Sequence, residues 1–113
     1  MARLGVISFV TVFFKEVPIK FKIEAVVDGK LEGERKVVAN VDAIALKKEL
    51  DKVVRQMEYS GIGTSLKKEG IEFYGMESIA RYIIKKLKPH FPLRNVRVWE
   101  GSDEYATVFA DEV

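Results

Sequence analysis

Residues 19–29 constrain the fold more than any other stretch. Ile19, Phe21, Ile23, Ala25 and Val27 alternate with Lys20, Lys22, Glu24, Val26 and Asp28. Period two is the mark of a strand with one dry face and one largely wet face. Pro18 sits at its start, where a missing N–H is tolerated. Asp28-Gly29 closes it with a turn signal. Just upstream, Val6–Phe14 is a run of β-branched and aromatic residues, the composition of a mostly buried strand. The two segments read as a long antiparallel hairpin. Glu34–Asn40 extends the second strand or adds a short one.

The period then changes. Asp42 stands where a helix N-cap belongs, its carboxylate available to the first-turn N–H groups. Leu46, Leu50, Val53, Val54 and Met57 follow at i, i+4, i+7, i+8 and i+11, one apolar helical stripe. Tyr59–Gly75, with four glycines, reads as a long loop. A second helix is expected from Met76 to Lys88, its stripe formed by Met76, Ile79, Ala80, Ile83, Ile84 and Leu87. Lys85, Lys86 and Lys88 suit the negative end of its dipole, and Pro89 and Pro92 stop it. Two more strands close the chain: Val96 and Val98 alternate with Arg97 and Trp99 up to Glu100-Gly101, then Tyr105, Thr107 and Phe109 alternate with Ala106, Val108 and Ala110. The order ββααββ predicts an α+β fold over residues 1–113 as a single domain, an antiparallel four-stranded sheet with two helices on one face. The long sheet edges of such a fold need covering or pairing, so a homo-oligomer is expected.

Composition removes several function classes. The chain of 113 residues has no cysteine and one histidine, His90. Disulfides, thiolate metal sites, iron–sulfur clusters and a cysteine nucleophile are therefore excluded, and no two-histidine metal site can form within one chain. A net charge of +2 does not by itself argue for a nucleic-acid or membrane partner, and none is expected. No apolar run reaches the length of a membrane span. Val6–Phe14 reads as a strand rather than a signal-peptide core, because it lacks a small-residue cleavage site before Lys15-Glu16. A cytoplasmic protein is expected.

The element order and three segments resemble the 6-pyruvoyl-tetrahydropterin synthase and 6-carboxy-tetrahydropterin synthase family, proteins of the tunnelling fold. The segments are Phe21–Gly29, which is similar to the family's second strand; Asp42-Ala43-Ile44-Ala45-Leu46-Lys47, similar to its Asp-Phe-x-x-Leu-Lys helix start; and Glu77-Ser78-Ile79-Ala80 with Val96-Arg97-Val98-Trp99-Glu100, similar to its Glu-Asn-x-Ala helix and Val-x-Val-x-Glu strand. The resemblance runs from about Ile7 to Phe109. It implies a trimeric barrel of twelve strands, two of which stack into a hexamer, and a pterin pocket at the subunit interface. It also implies that Glu100 anchors the ring, with Glu77 and the main chain at Gly75 and Met76 lining the slot. The chemistry suits a carboxylate, which accepts two parallel hydrogen bonds from the amino group and ring N–H of a pterin or guanine edge.

The chain departs from the family where the chemistry lies. The resemblance implies zinc on three histidines, one in the first strand and two in a His-x-His that falls on Val17-Pro18-Ile19. The loop of the family's catalytic cysteine shrinks to Lys15-Glu16-Val17. The family's catalytic histidine becomes Tyr59, and its Pro-Thr before the second helix becomes Tyr74-Gly75. The family's reaction needs a Lewis acid and a base that works near neutral pH, whereas a phenol, with a reference pKa of ~10, is a poor base there. The sequence therefore points to a zinc-free protein, with no cofactor assigned, that binds a pterin or purine-like ring at a subunit interface. Two alternatives stand beside it. One is a zinc-free pterin enzyme of the aldolase type, drawing on Tyr59, Tyr74 and Lys67 or Lys68. The other is a structural or partner subunit. Gly61-Ile62-Gly63-Thr64-Ser65 lacks the Lys-Ser/Thr ending of a phosphate loop, and no nucleotide-phosphate role is assigned to it.

Overall fold

A computed structural model describes residues 2–14, 16–29, 37–38 and 41–113. Strands β1 (Ala2–Phe14) and β2 (Val17–Gly29) pair antiparallel along their whole length, from Ala2↔Gly29 to Phe14↔Val17. Glu16 in the two-residue connection takes φ 69°, the left-handed conformation that matches a tight hairpin to the strand twist. The first strand thus begins at Ala2, four residues before the apolar run, because register with β2 carries the pairing on through Leu4 and Arg3. Arg3 is held there by an ion pair to Asp28 (2.7 Å).

β5 (Asn95–Glu100) adds to the other side of β2, and β6 (Glu104–Phe109) pairs with β5, giving the order β1-β2-β5-β6, all antiparallel. Pro18 lies beyond the last β2–β5 pair, Phe21↔Glu100, so its absent N–H costs no ladder bond on that side. Of Glu34–Asn40, only Val37–Val38 (β3) is described, paired with β4 (Val41–Asp42); the remainder lies outside the described residues.

Three α-helices are described, one more than expected. In α1 (Ala43–Ser60) the Asp42 carboxylate accepts from the Ile44 N–H at 2.8 Å, so the N-cap reading holds. Lys47 donates to the Ile7 carbonyl (2.6 Å) and to Asp51 (2.7 Å), tying the helix to the edge strand. The segment Tyr59–Gly75 is not one loop. Gly61, at φ 81°, breaks the helix, and α2 (Ile62–Lys68) follows with Ser65 and Leu66 buried. Seven residues are two turns, too few for a periodic stripe to show beside Gly61 and Gly63. α3 (Met76–Leu87) matches its expected stripe, with Lys88 as its C-cap.

The helices cover one face of the sheet. Two cross-strand rows lie under them, Val6–Ala25–Val96–Val108 and Ser8–Ile23–Val98–Ala106. Ile23, Val96, Val98, Leu46, Leu50, Ile79, Ile83 and Ile84 are completely buried between the layers. At ~1.5–3 kcal/mol for each fully buried large side chain, this interface is the main source of stability.

Candidate functional site

A third helix-side row, Val10–Phe21–Glu100–Glu104, runs along the same face nearer the β1–β2 turn. Phe21 is 2% exposed. The row ends in two acidic residues on adjacent strands, and like charges directly opposite disfavour pairing. Glu100 is half-buried and Glu104 exposed. Alternation fixes which way Glu100 points: Val96 and Val98 face the core, so Glu100 does too, while Arg97 and Trp99 stand on the other face.

α3 brings its N-terminus to the same end of the sheet. Its twelve residues rise about 18 Å, close to the length of six-residue β5 at ~3.4 Å each. Residues 88–94 turn the chain back between them. The C-terminal end of α3 is fixed at the far end of the sheet, where Lys88 donates to the Ala110 carbonyl (2.9 Å) beside the Asn95↔Phe109 pair. Gly75, Met76 and Glu77 therefore lie at the Glu100 end. Gly75 takes φ 111°, with open space where a Cβ would stand. Glycine is there for its backbone freedom, not for lack of room. The Tyr74 N–H donates to Ser78 Oγ at 2.7 Å, closing the first turn. Met76 packs on the core, and Glu77 is exposed, 3.8 Å from Arg81.

Glu77 lines a cleft of about 440 Å³ together with Glu72, Tyr74, Ser78, Arg81 and Lys85. Sequence reading assigned no site role to Glu72, Ser78, Arg81 or Lys85. The one available signal was Ser78 in the first turn after Gly75, a position from which a hydroxyl reaches back to an orphan N–H. Glu100 is not among the residues lining this cleft, so the two glutamates share an end of the sheet but not this cavity within one chain.

The groups open to the aldolase-type alternative do not line one cleft: Tyr74, Lys67 and Lys68 border three different ones. Tyr59 is 95% exposed at the end of α1. Tyr74 donates its hydroxyl to Glu72, and that bond raises its pKa above the ordinary phenol value, which holds it in the protonated form. Lys67 lines a neighbouring cleft beyond Gly70–Glu72, which Tyr74 does not line. Zinc finds no donors at the implied positions: Val17 and Ile19 have hydrocarbon side chains, and β1 has no histidine. His90 lines a cleft with Lys48, Glu49 and Lys52 at the opposite end of the sheet. No cluster of His, Asp or Glu suited to a metal is found among the described residues. These side chains do not fit the family's zinc.

Comparison with known proteins decides the family. The family model described as 6-pyruvoyl tetrahydropterin synthase matches residues 19–111. The chain belongs to this family. A search of curated proteins found no match. The family match runs from Ile19, inside β2, through β6 and includes Gly75, Met76, Glu77 and Glu100. No helix among the described residues is long and apolar enough to cross a membrane.

Proposed function

We propose that this chain is a zinc-free member of the family that binds a pterin or purine-like ring where two subunits meet, and that it does not run the family's zinc-dependent reaction. The observation that carries this reading is Glu100, half-buried at the end of a core-facing row. A carboxylate there can accept from the amino group and the ring N–H together, in charge-assisted hydrogen bonds. Glu77, with the main chain at Gly75 and Met76, borders the ring slot. The second wall comes from a neighbouring copy in a homo-oligomer, a trimer or a hexamer. Three features support assembly. β1 leaves a thirteen-residue edge with no strand beyond it among the described residues. The hairpin reaches past β5 at both ends. Near the hairpin turn, Phe13 and Val17 are 72% and 59% exposed, an apolar surface of the kind interfaces cover. The setting is the cytoplasm.

The test compares two rings that differ only at the recognised edge. Pterin carries the amino group, and lumazine carries a carbonyl there. Losing one hydrogen bond to a charged acceptor costs about 1.5–3 kcal/mol, so equilibrium dialysis should show pterin bound about ten- to a hundredfold more tightly. Equal affinities for the two rings would contradict the reading.

A further inference from the structure

The open edge of β1 is not uniform. Lys47 Nζ donates to the Ile7 carbonyl at 2.6 Å and to Asp51 at 2.7 Å. Val26 accepts from the Arg94 N–H at 2.8 Å, which turns the even-numbered residues of β2 toward β5. Ile7, opposite Glu24, therefore turns its polar groups outward, and its carbonyl is already taken. Outward groups recur at every second residue, so Arg3, Gly5 and Phe9 offer theirs as well. Lys47 thus divides the edge into Ala2–Val6 and Ser8–Phe14. The N-terminal part overhangs the rest of the sheet. The β2–β5 ladder stops at Val26↔Asn95, whereas β1–β2 pairing continues from Leu4↔Val27 to Ala2↔Gly29. The opposite edge of the sheet is β6, which opens with Glu104. Glu104 stands against Glu100 and forms no ion pair among the described residues.

A homo-oligomer that closes the sheet joins these two edges, and closure sets their register. Strands in a closed sheet tilt ~35–45° to its axis. Four strands at ~4.8 Å span about 19 Å, so each subunit slips about 13–19 Å along the strands, four to six residues at ~3.4 Å each. The slip is even, because an odd one would set the dry face of one strand beside the wet face of the next. Its direction follows from the fixed hand of the twist. With the helices outside and the open edge of β1 on the side of the Ile7 carbonyl, the slip carries a neighbour's β6 toward the N-terminal part of β1. A slip of zero or two residues would set Thr107 or Tyr105 against Ile7, whose carbonyl Lys47 occupies. A slip of six would carry Glu104 to Leu4, away from the Lys47 ammonium. A slip of four sets Glu104 against Val6 and ends the ladder one residue short of the block.

We infer that Ala2–Val6 of β1 pairs antiparallel with Glu104–Val108 of a second copy, Val6 opposite Glu104 and Leu4 opposite Ala106, and that Lys47 at the end of this ladder holds the neighbour's Glu104 in an ion pair. An ammonium has three donors, and Lys47 uses two of them within its own chain. The helix-side pairs are apolar beyond Glu104: Leu4 meets Ala106 and Ala2 meets Val108. On the inward face Tyr105 meets Gly5, and a glycine inside a strand admits a close neighbour. The contact also places a cation beside two like charges. It neutralises Glu104 and leaves Glu100 for the ring. The inference rests on the homo-oligomer proposed above and adds which edge residues build it.

The chain has no cysteine, so introduced pairs report the register directly. Leu4 and Ala106 would form a non-hydrogen-bonded pair with Cα atoms ~4.5 Å apart, within disulfide range. Mild oxidation of full-length Leu4→Cys/Ala106→Cys should give covalent dimers and larger species on a non-reducing gel. Ser8→Cys/Ala106→Cys, which reports zero slip, and Val12→Cys/Ala106→Cys, which reports the opposite slip, should run as single chains. Glu104→Lys sets two cations against each other and should raise the dissociation constant of the assembly at least tenfold, less so at high salt. Crosslinking through Ser8 or Val12 in preference to Leu4 would overturn the register, and so would an oligomer by sedimentation that none of the three pairs crosslinks. An assembly as tight in Glu104→Lys as in the wild type would overturn the ion pair. A monomer by sedimentation would remove this inference and the interface slot together. Crosslinking through Leu4 in a protein that binds no pterin would support the register and remove the ring alone.

Discussion

Glu100 and Gly75 show how one side chain and one backbone angle set the candidate site. Glu100 owes its direction to strand parity, since a shift of one residue in β5 would turn it to the Trp99 face. Gly75 owes its identity to φ 111°. Gly75→Ala meets no steric obstacle but forces on alanine a backbone of φ 111° and ψ −142° that essentially only glycine adopts, at a cost of about 1–3 kcal/mol. Urea unfolding should show that loss, with α3 helicity otherwise kept. Tyr59→Phe should be silent, with stability unchanged within ~0.5 kcal/mol, because a hydroxyl on a 95% exposed side chain rests on nothing. A large effect there would show Tyr59 to be covered in the assembled protein.

At the scale of elements, caps and short helices carry the accountable energies. Asp42→Ala removes the acceptor for the Ile44 N–H and should cost about 1 kcal/mol in chemical denaturation. Leu66→Ala opens a cavity beneath α2, where Leu66 is fully buried, and should cost ~2–5 kcal/mol. If α2 were a peripheral turn, as its sequence suggests, the loss would stay near the surface value of ~0.5 kcal/mol. The two cases mark what was legible. Asp42 was readable because capping is local, and the long stripes of α1 and α3 were readable because periodicity accumulates over several turns. α2 was not, because Ile62 and Leu66 are too few apolar positions to define a face, and what fixes them is tertiary burial. The cleft beside α3 was hidden for the same reason. Glu72, Arg81 and Lys85 converge only once the chain has folded back from Gly70 to α3.

For the whole molecule, charge pairs link stability to pH. Asp28 lies below the usual carboxylate range because it accepts from Arg3, and Glu69 because it accepts from Lys86 at 2.5 Å. A depressed folded-state pKa means a contribution that is complete above the unfolded value and is lost as pH falls through the folded one. Thermal unfolding should therefore occur at lower temperature as pH drops through the carboxylate range. Asp28→Asn should flatten part of that dependence, and an unchanged profile would show the Arg3 and Arg94 pairs to be fully solvated. The long axis of 47 Å belongs to the β1–β2 hairpin, thirteen residues per strand at ~3.4 Å each, and its uncovered edge is what an assembly would use. Everything proposed for the site depends on whether that assembly closes around the β5 carboxylate. The most direct measurement is calorimetric titration of pterin into the wild-type protein and into Glu100→Ala, with the oligomeric state of both checked by sedimentation. The account predicts saturable heat for the wild type and a loss of about ten- to a hundredfold in affinity for an equally assembled Glu100→Ala. No heat with the wild type, or the same affinity in both proteins, would contradict it.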